Sequence, residues 1–168
     1  VSAGRFHSYL LTGDGIVEMR PTWMVTTRLP ATANVISSAL GGAAQARPAD
    51  RPGVLVATTV AKVGIIIDAV DSIRFDMKQW IDGRLTHHCD TRVFLSPEEK
   101  EGLPCGCPTS IADLKSRATV DRGPRPDTNI RFRLVLAPGL GIFEYKTRGW
   151  TLLTDHACNL SCLLERLA

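Results

Sequence analysis

At 168 residues, with 44% apolar and 22% charged side chains, the chain can build one well-buried core or a core plus a small satellite module, and its composition excludes a disordered or fibrous class. The longest apolar run, VGIIIDAV, is interrupted by Asp68 and is far too short to cross a bilayer. A formal net charge of +3, with Lys and Arg scattered among the acids, permits contact with nucleic acid but does not argue for it.

In chain order, GRFHSYLLTGDGIVEMRPTWMVTT reads as short strands around the turn Thr12-Gly13-Asp14-Gly15, with alternation at Phe6, Tyr9 and Leu11 and again from Trp23 to Thr27. PATANVISSALGG predicts a helix of about three turns that starts near Pro30 and stops at Gly41-Gly42. Residues 43–53, AAQARPADRPG, mix Ala, Pro and charge without a period and read as a loop or linker. VLVATTV and GIIIDAV are rich in β-branched residues and predict a hairpin across Ala61, Lys62 and Val63.

SIRFDMKQWI alternates, and the Asp82-Gly83 turn makes RLTHHC its returning strand. SPEEKEG offers a weak capping box, Ser96 with Glu99, for a single helical turn. PTSIADLKSRA predicts a better helix, capped by Thr109 or Ser110, with Ile111, Leu114 and Ala118 on one face. VDRGPRPDT is a loop, and NIRFRLVLAPGLGIFEYKTRGW reads as strand, Pro138-Gly139 turn and strand. DHACNLSCLLERLA predicts a terminal helix capped by Asp155, with Cys158 and Cys162 one turn apart.

Together these elements predict an α+β fold, a mostly antiparallel sheet with three or four short helices and a small zinc-knuckle segment. The expected organisation is a strand-helix part over residues 1–42, the loop or linker 43–53, and a sheet with the zinc knuckle (87–107) and a C-terminal helix over 54–168, all in one compact domain. Five cysteines, an odd number not spread as a disulfide framework, predict a reducing cytoplasm. The first residues lack a basic-then-apolar segment with a cleavage site, so no export signal is expected, and Val1 fits an alternative start codon or a trimmed terminus.

The densest chemistry lies in THHCD and GLPCGCP. In an extended segment residues i and i+2 face the same way, so His87 pairs with Cys89 and Cys105 with Cys107. Prolines at 104 and 108 disfavour a helix between them, and Gly106 lets the backbone bend as a ligand loop must. If the fifteen residues between Cys89 and Cys105 loop back, the two pairs make a tetrahedral Cys3His set for structural Zn2+. One residue within each pair is fewer than the usual two to four. His88 is the main rival for the fourth position, and Cys158 with Cys162 is another, although core packing of the terminal helix explains that pair more simply. The plain alternative is that the thiols are unliganded, buried as small apolar groups.

Catalytic readings find little support. A Cys/His nucleophile pair needs a third orienting group that nothing singles out. A zinc hydrolase needs an open coordination position with a carboxylate such as Asp90 as base, whereas three sulfur ligands suit a closed site. GDG at 13–15 and GLG at 139–141 are turns, not phosphate cradles. Trp80 and Trp150, with Phe132 and Phe143, could stack on bases beside Arg131 and Arg133, although such residues more often alternate into a core and out to solvent.

HHCD, GLPCGCP, GPRPDTNIRFRL and LGIFEYKTRGW, in that order and spacing, resemble the recombination directionality factors that work with large serine integrases of actinobacterial phages and integrated elements. The likeness also takes in GRFHSYLLTGDG and the Gly-Gly ending the first helix, and its specific part runs from Trp80 to Trp150. It implies a non-enzymatic accessory protein in the bacterial cytoplasm that binds an integrase already on its attachment sites and switches it from attP × attB integration to attL × attR excision. It further implies little DNA binding alone, no membrane and no small-molecule substrate. Longer relatives place a further cysteine before the Pro-x-Thr segment, where this chain reads GPRPDT, and that leaves the fourth metal ligand open. Such a switch requires about 5 kcal/mol of differential affinity, hence a sizeable interface with buried apolar anchors, for which Leu160, Leu163 and Leu164 of the terminal helix are candidates if they are not core. The rival class is a zinc-stabilised nucleic-acid-binding module of phage replication or recombination, which would bind DNA alone with a steep salt dependence.

Overall fold

The computed structural model describes residues 2–11, 17–120 and 122–152. Its order begins β1 (Ser2–Leu11), β2 (Val17–Thr27), α1 (Pro30–Leu40), β3 (Ala44–Ala46), β4 (Val54–Ala57) and β5 (Ile65–Ile66). It continues β6 (Ile73–Ile81), β7 (Arg84–Cys89), β8 (Phe94–Ser96), α2 (Ile111–Thr119), β9 (Arg125–Leu134) and β10 (Ile142–Thr147), with single 3-10 turns at Val70–Ser72, Glu98–Lys100 and Pro138–Leu140. The chain divides into two compact units, residues 1–68 with 130–146 and residues 69–129 with 147–168.

In the first unit the strands run β3-β4-β2-β1-β10-β9. β1 and β2 are antiparallel, with Arg5 opposite Thr26 and Tyr9 opposite Met19, whereas β1 and β10 are parallel. Alternation sends Phe6, Val25, Phe132, Leu134 and Phe143 to the buried side. Phe6 meets Trp23, Phe132 and Phe143 edge-on at 5.9, 5.4 and 5.5 Å between ring centroids, the arrangement that aromatic quadrupoles favour. α1 starts with Pro30 in its first turn, where no N–H partner is needed, and buries Thr32, Ala33, Ile36 and Leu40.

In the second unit the first half of β9 is followed by β6, β7 and β8. β6 and β7 form the expected hairpin: Ile81 lies opposite Arg84, and Asp82 and Gly83 take φ of 49° and 75°, the pair of positive angles a type I′ turn requires. α2 is capped by the Ser110 hydroxyl, which accepts from the Asp113 amide, and it buries Leu114 and Ala118.

Three expectations need correction. The described residues hold two α-helices, not three or four: the weak capping box at Ser96 yields only a 3-10 turn, and the terminal helix with Asp155, Cys158 and Cys162 falls outside the described residues. VLVATTV and GIIIDAV do not pair with each other. β4 lies between β2 and β3, and β5 pairs with β9, because β-branched composition marks a strand without naming its neighbour. Within the two stretches read as loop, Ala44–Ala46 forms β3 and joins the first unit, and residues 125–128 of VDRGPRPDT already belong to β9. The Thr12-Gly13-Asp14-Gly15 turn also lies outside the described residues. No helix among the described residues is long and apolar enough to cross a membrane.

Candidate metal centre

β7 ends the second unit's hairpin with His87 and Cys89, two positions apart and therefore on one side of the strand. The chain then turns sharply. Asp90 Oδ1 accepts from the amides of Arg92 and Val93, both at 2.8 Å, and Thr91, at φ 84°, aims its N–H at Cys89 Sγ at 3.4 Å. The side chain of Asp90 thereby closes an Asx-type turn, and the sulfur receives an amide hydrogen bond.

The return path is a second hairpin. Phe94 N–H donates to Leu103 O at 2.9 Å, Gly102 N–H to Phe94 O at 3.0 Å and Cys105 N–H to Arg92 O at 2.9 Å, with the turn Glu98–Lys100 at its far end. These bonds carry Cys105 back beside the end of β7. Gly106, at φ 70°, then reverses the backbone so that Cys107 faces the same point.

The structure brings together one ligand atom from each of His87, Cys89, Cys105 and Cys107, all within 4.8 Å of one another, close enough to bind one metal ion. Cys107 Sγ lies 3.7 Å from Cys89 Sγ and 3.4 Å from His87 Nε2. The cluster sits in the unit's core: Met77, Cys89, Cys105 and Leu114 are buried together, and Phe94, Cys107 and Trp150 pack against them. Burial pushes the Cys89 thiol above its ordinary value and Cys107 up to about 11, so without a cation these sulfurs keep their protons. A bound cation reverses that preference, and its arrival releases protons.

Burial, and then the charges of Lys100 and His88, lower the His87 pKa below 6.5 and leave a neutral ring to donate a lone pair. A base whose folded pKa is depressed contributes stability that is complete above its unfolded value and lost as pH falls through the folded one. The direction at low pH is therefore the same for fold and metal. Bound metal and resistance to urea are both expected to decline as pH drops below about 6.5, with the released ion read by a colorimetric chelator.

His88, the rival ligand, faces away from the cluster. Its Nδ1 is 2.9 Å from Ser96 Oγ and its Nε2 is 3.1 Å from Asp76 Oδ2, while Lys78 Nζ lies 3.5 Å from the same Asp76 oxygen and 2.6 Å from Asp127 Oδ2. Serine, histidine and aspartate also build nucleophilic triads. Here they stand on three neighbouring strands, and each bond ties one strand to the next. The sequence reading missed this chain because its members are separated by 12 and 8 residues and meet only through strand pairing. It also missed the turn role of Asp90, whose signal, a short carboxylate directly after a strand, was present. Burial raises the Asp90 pKa, but the Val93 and Arg92 amides outweigh it and hold the carboxyl below its usual range.

The aromatic set is divided. Phe132 and Phe143 are core residues of the first unit, and Trp150 packs on the cysteine cluster. Trp80 is 53% exposed and lines a cavity with Arg125 and Arg148. Arg133 is engaged by both carboxylate oxygens of Asp68. Cys158, Cys162, Leu160, Leu163 and Leu164 lie outside the described residues. No family model matches the sequence, and no solved structure matches the fold.

Proposed function

We propose that His87, Cys89, Cys105 and Cys107 hold one structural Zn2+ and that the chain is a non-enzymatic accessory protein of the recombination-directionality class, working in the bacterial cytoplasm. The observation that carries the metal reading is the spacing of the ligand atoms. A tetrahedral zinc with Zn–S near 2.3 Å and Zn–N near 2.0 Å sets two sulfurs about 3.8 Å apart and a sulfur and nitrogen about 3.5 Å apart. The Cys89–Cys107 separation of 3.7 Å and the Cys107–His87 separation of 3.4 Å match one edge of each kind, and all four donor atoms lie within 4.8 Å of one another. Four protein donors, two of them buried and two half-buried, leave no open coordination position, which favours a structural ion over a catalytic one.

The regulatory part rests on the ordered motifs from HHCD to LGIFEYKTRGW. In this reading the zinc and the second hairpin hold residues 87–107 and α2 rigid, so that a docking face for a large serine integrase needs no ordering when the two proteins meet. A bound factor shifts the integrase between synaptic arrangements only by its differential affinity for them.

Purified protein is expected to leave attachment-site DNA unshifted by itself, to supershift the cognate integrase on those sites, and to stimulate attL × attR recombination while suppressing attP × attB. Inactivity in that paired assay would refute the regulatory reading. The exposed Trp80 beside Arg125 and Arg148 favours a second reading, a nucleic-acid-binding module. It predicts the opposite pattern, a DNA shift by the chain alone that weakens steeply with salt.

A further inference from the structure

The three sulfurs of the cluster differ in access. Cys89 is fully buried and Cys105 is 8% exposed, whereas Cys107 is only half-buried. Cys107 also lines a cavity with Gly106, Pro108, Asp113, Ser116 and Arg117, so a small polar molecule reaches this sulfur before the other two. A zinc-bound sulfur is a thiolate, the form that attacks peroxides.

A partner for the next step is at hand. Cys89 Sγ is 3.7 Å from Cys107 Sγ and needs to close by about 1.7 Å to reach a disulfide bond length. The alternative bridge, Cys105 to Cys107, would join residues i and i+2 and be strained.

We propose that Cys107 is a peroxide-oxidation site at which modification discharges the metal. This rests on the reading of the cluster as a zinc site and adds its chemistry. The Cys107 thiolate attacks a peroxide oxygen, the O–O bond breaks, hydroxide departs, and Cys107 becomes a sulfenic acid. Cys89 sulfur then attacks the Cys107 sulfur and expels a second hydroxide. Two thiolates have given two electrons to one peroxide, and the product is a Cys89–Cys107 disulfide. Only His87 and Cys105 then remain as donors, and Zn2+ leaves. The segment from Cys105 into α2 loses the ion that fixed it, so the oxidised chain is a metal-free, loosened form that a reductant and zinc restore.

The test uses the unaltered, zinc-loaded chain treated with hydrogen peroxide. Released zinc is followed with a colorimetric chelator, remaining thiols are alkylated, and an unreduced digest is mapped by mass spectrometry with fragment spectra to separate Cys105 from Cys107. The expected result is about one zinc released per chain, in step with a Cys89–Cys107 linkage, with Cys105 still alkylatable and both changes reversed by dithiothreitol plus zinc. Zinc retained under peroxide, or released with Cys105, Cys158 or Cys162 bridged to Cys107 in place of Cys89, overturns the inference while leaving the metal reading intact. A chain that binds no zinc to begin with overturns both.

Discussion

Cys89→Ser is expected to abolish stoichiometric zinc binding and to destabilise the second unit by more than about 4 kcal/mol. Two effects add. Cys89 is fully buried beside Met77 and Leu114, so a serine there places a hydroxyl in an apolar core while removing one of the proposed zinc ligands. The variant should unfold at a lower urea concentration and be indifferent to EDTA. The unaltered chain should fall to a similarly low midpoint once EDTA is added. Equal midpoints for the unaltered chain with and without EDTA, in a sample that carries zinc, would mean that the ion contributes nothing to folding.

Phe143→Ala should have an effect of similar size for a different reason. The ring is fully buried, edge-on to Phe6 and stacked with Phe132 at 6.4 Å between centroids. Truncation to Ala leaves a cavity that the surrounding groups fill only in part, a loss of about 3–5 kcal/mol. Zinc content per folded chain should be unchanged, because Phe143 and the four donors belong to different units. Thermal unfolding and metal analysis on the same preparation separate the two variants: one loses stability with its metal, the other loses stability and keeps it.

What was legible in the sequence was mostly local. Asp82-Gly83 between two alternating runs specified the hairpin, although the pairing slips by one residue between Trp80–Leu85 and Gln79–His87. The i, i+2 rule put His87 and Cys89 on one side of β7, whereas the place of His88, bonded to Asp76 and Ser96, was settled only by the structure. A cap at Thr109 or Ser110, of which the structure uses Ser110, and Gly41-Gly42 as a stop were equally readable, since each acts within one turn of its helix.

Non-local pairing was not legible. β1 takes β10 as a parallel neighbour, with Ser2 opposite Ile142, and nothing in either strand names the other. The same gap produced the wrong hairpin for β4 and β5: Val54, Leu55 and Val56 suit any half-buried strand, and Thr27, Thr26 and Val25 of β2 turned out to be their partners. The clustering of the two pairs, His87 with Cys89 and Cys105 with Cys107, lay between these cases. Spacing predicted that each pair converges, but the backbone bonds from Phe94 to Leu103 and from Cys105 to Arg92, which bring the pairs together, became visible only in the structure.

Zinc K-edge X-ray absorption on the purified full chain tests the central claim most directly. A closed site made by His87, Cys89, Cys105 and Cys107 predicts about one zinc per chain, with three sulfur neighbours near 2.3 Å and one nitrogen near 2.0 Å. A first shell of oxygen and nitrogen only, or a chain purified without metal from zinc-supplemented cells and unable to take it up, would contradict it.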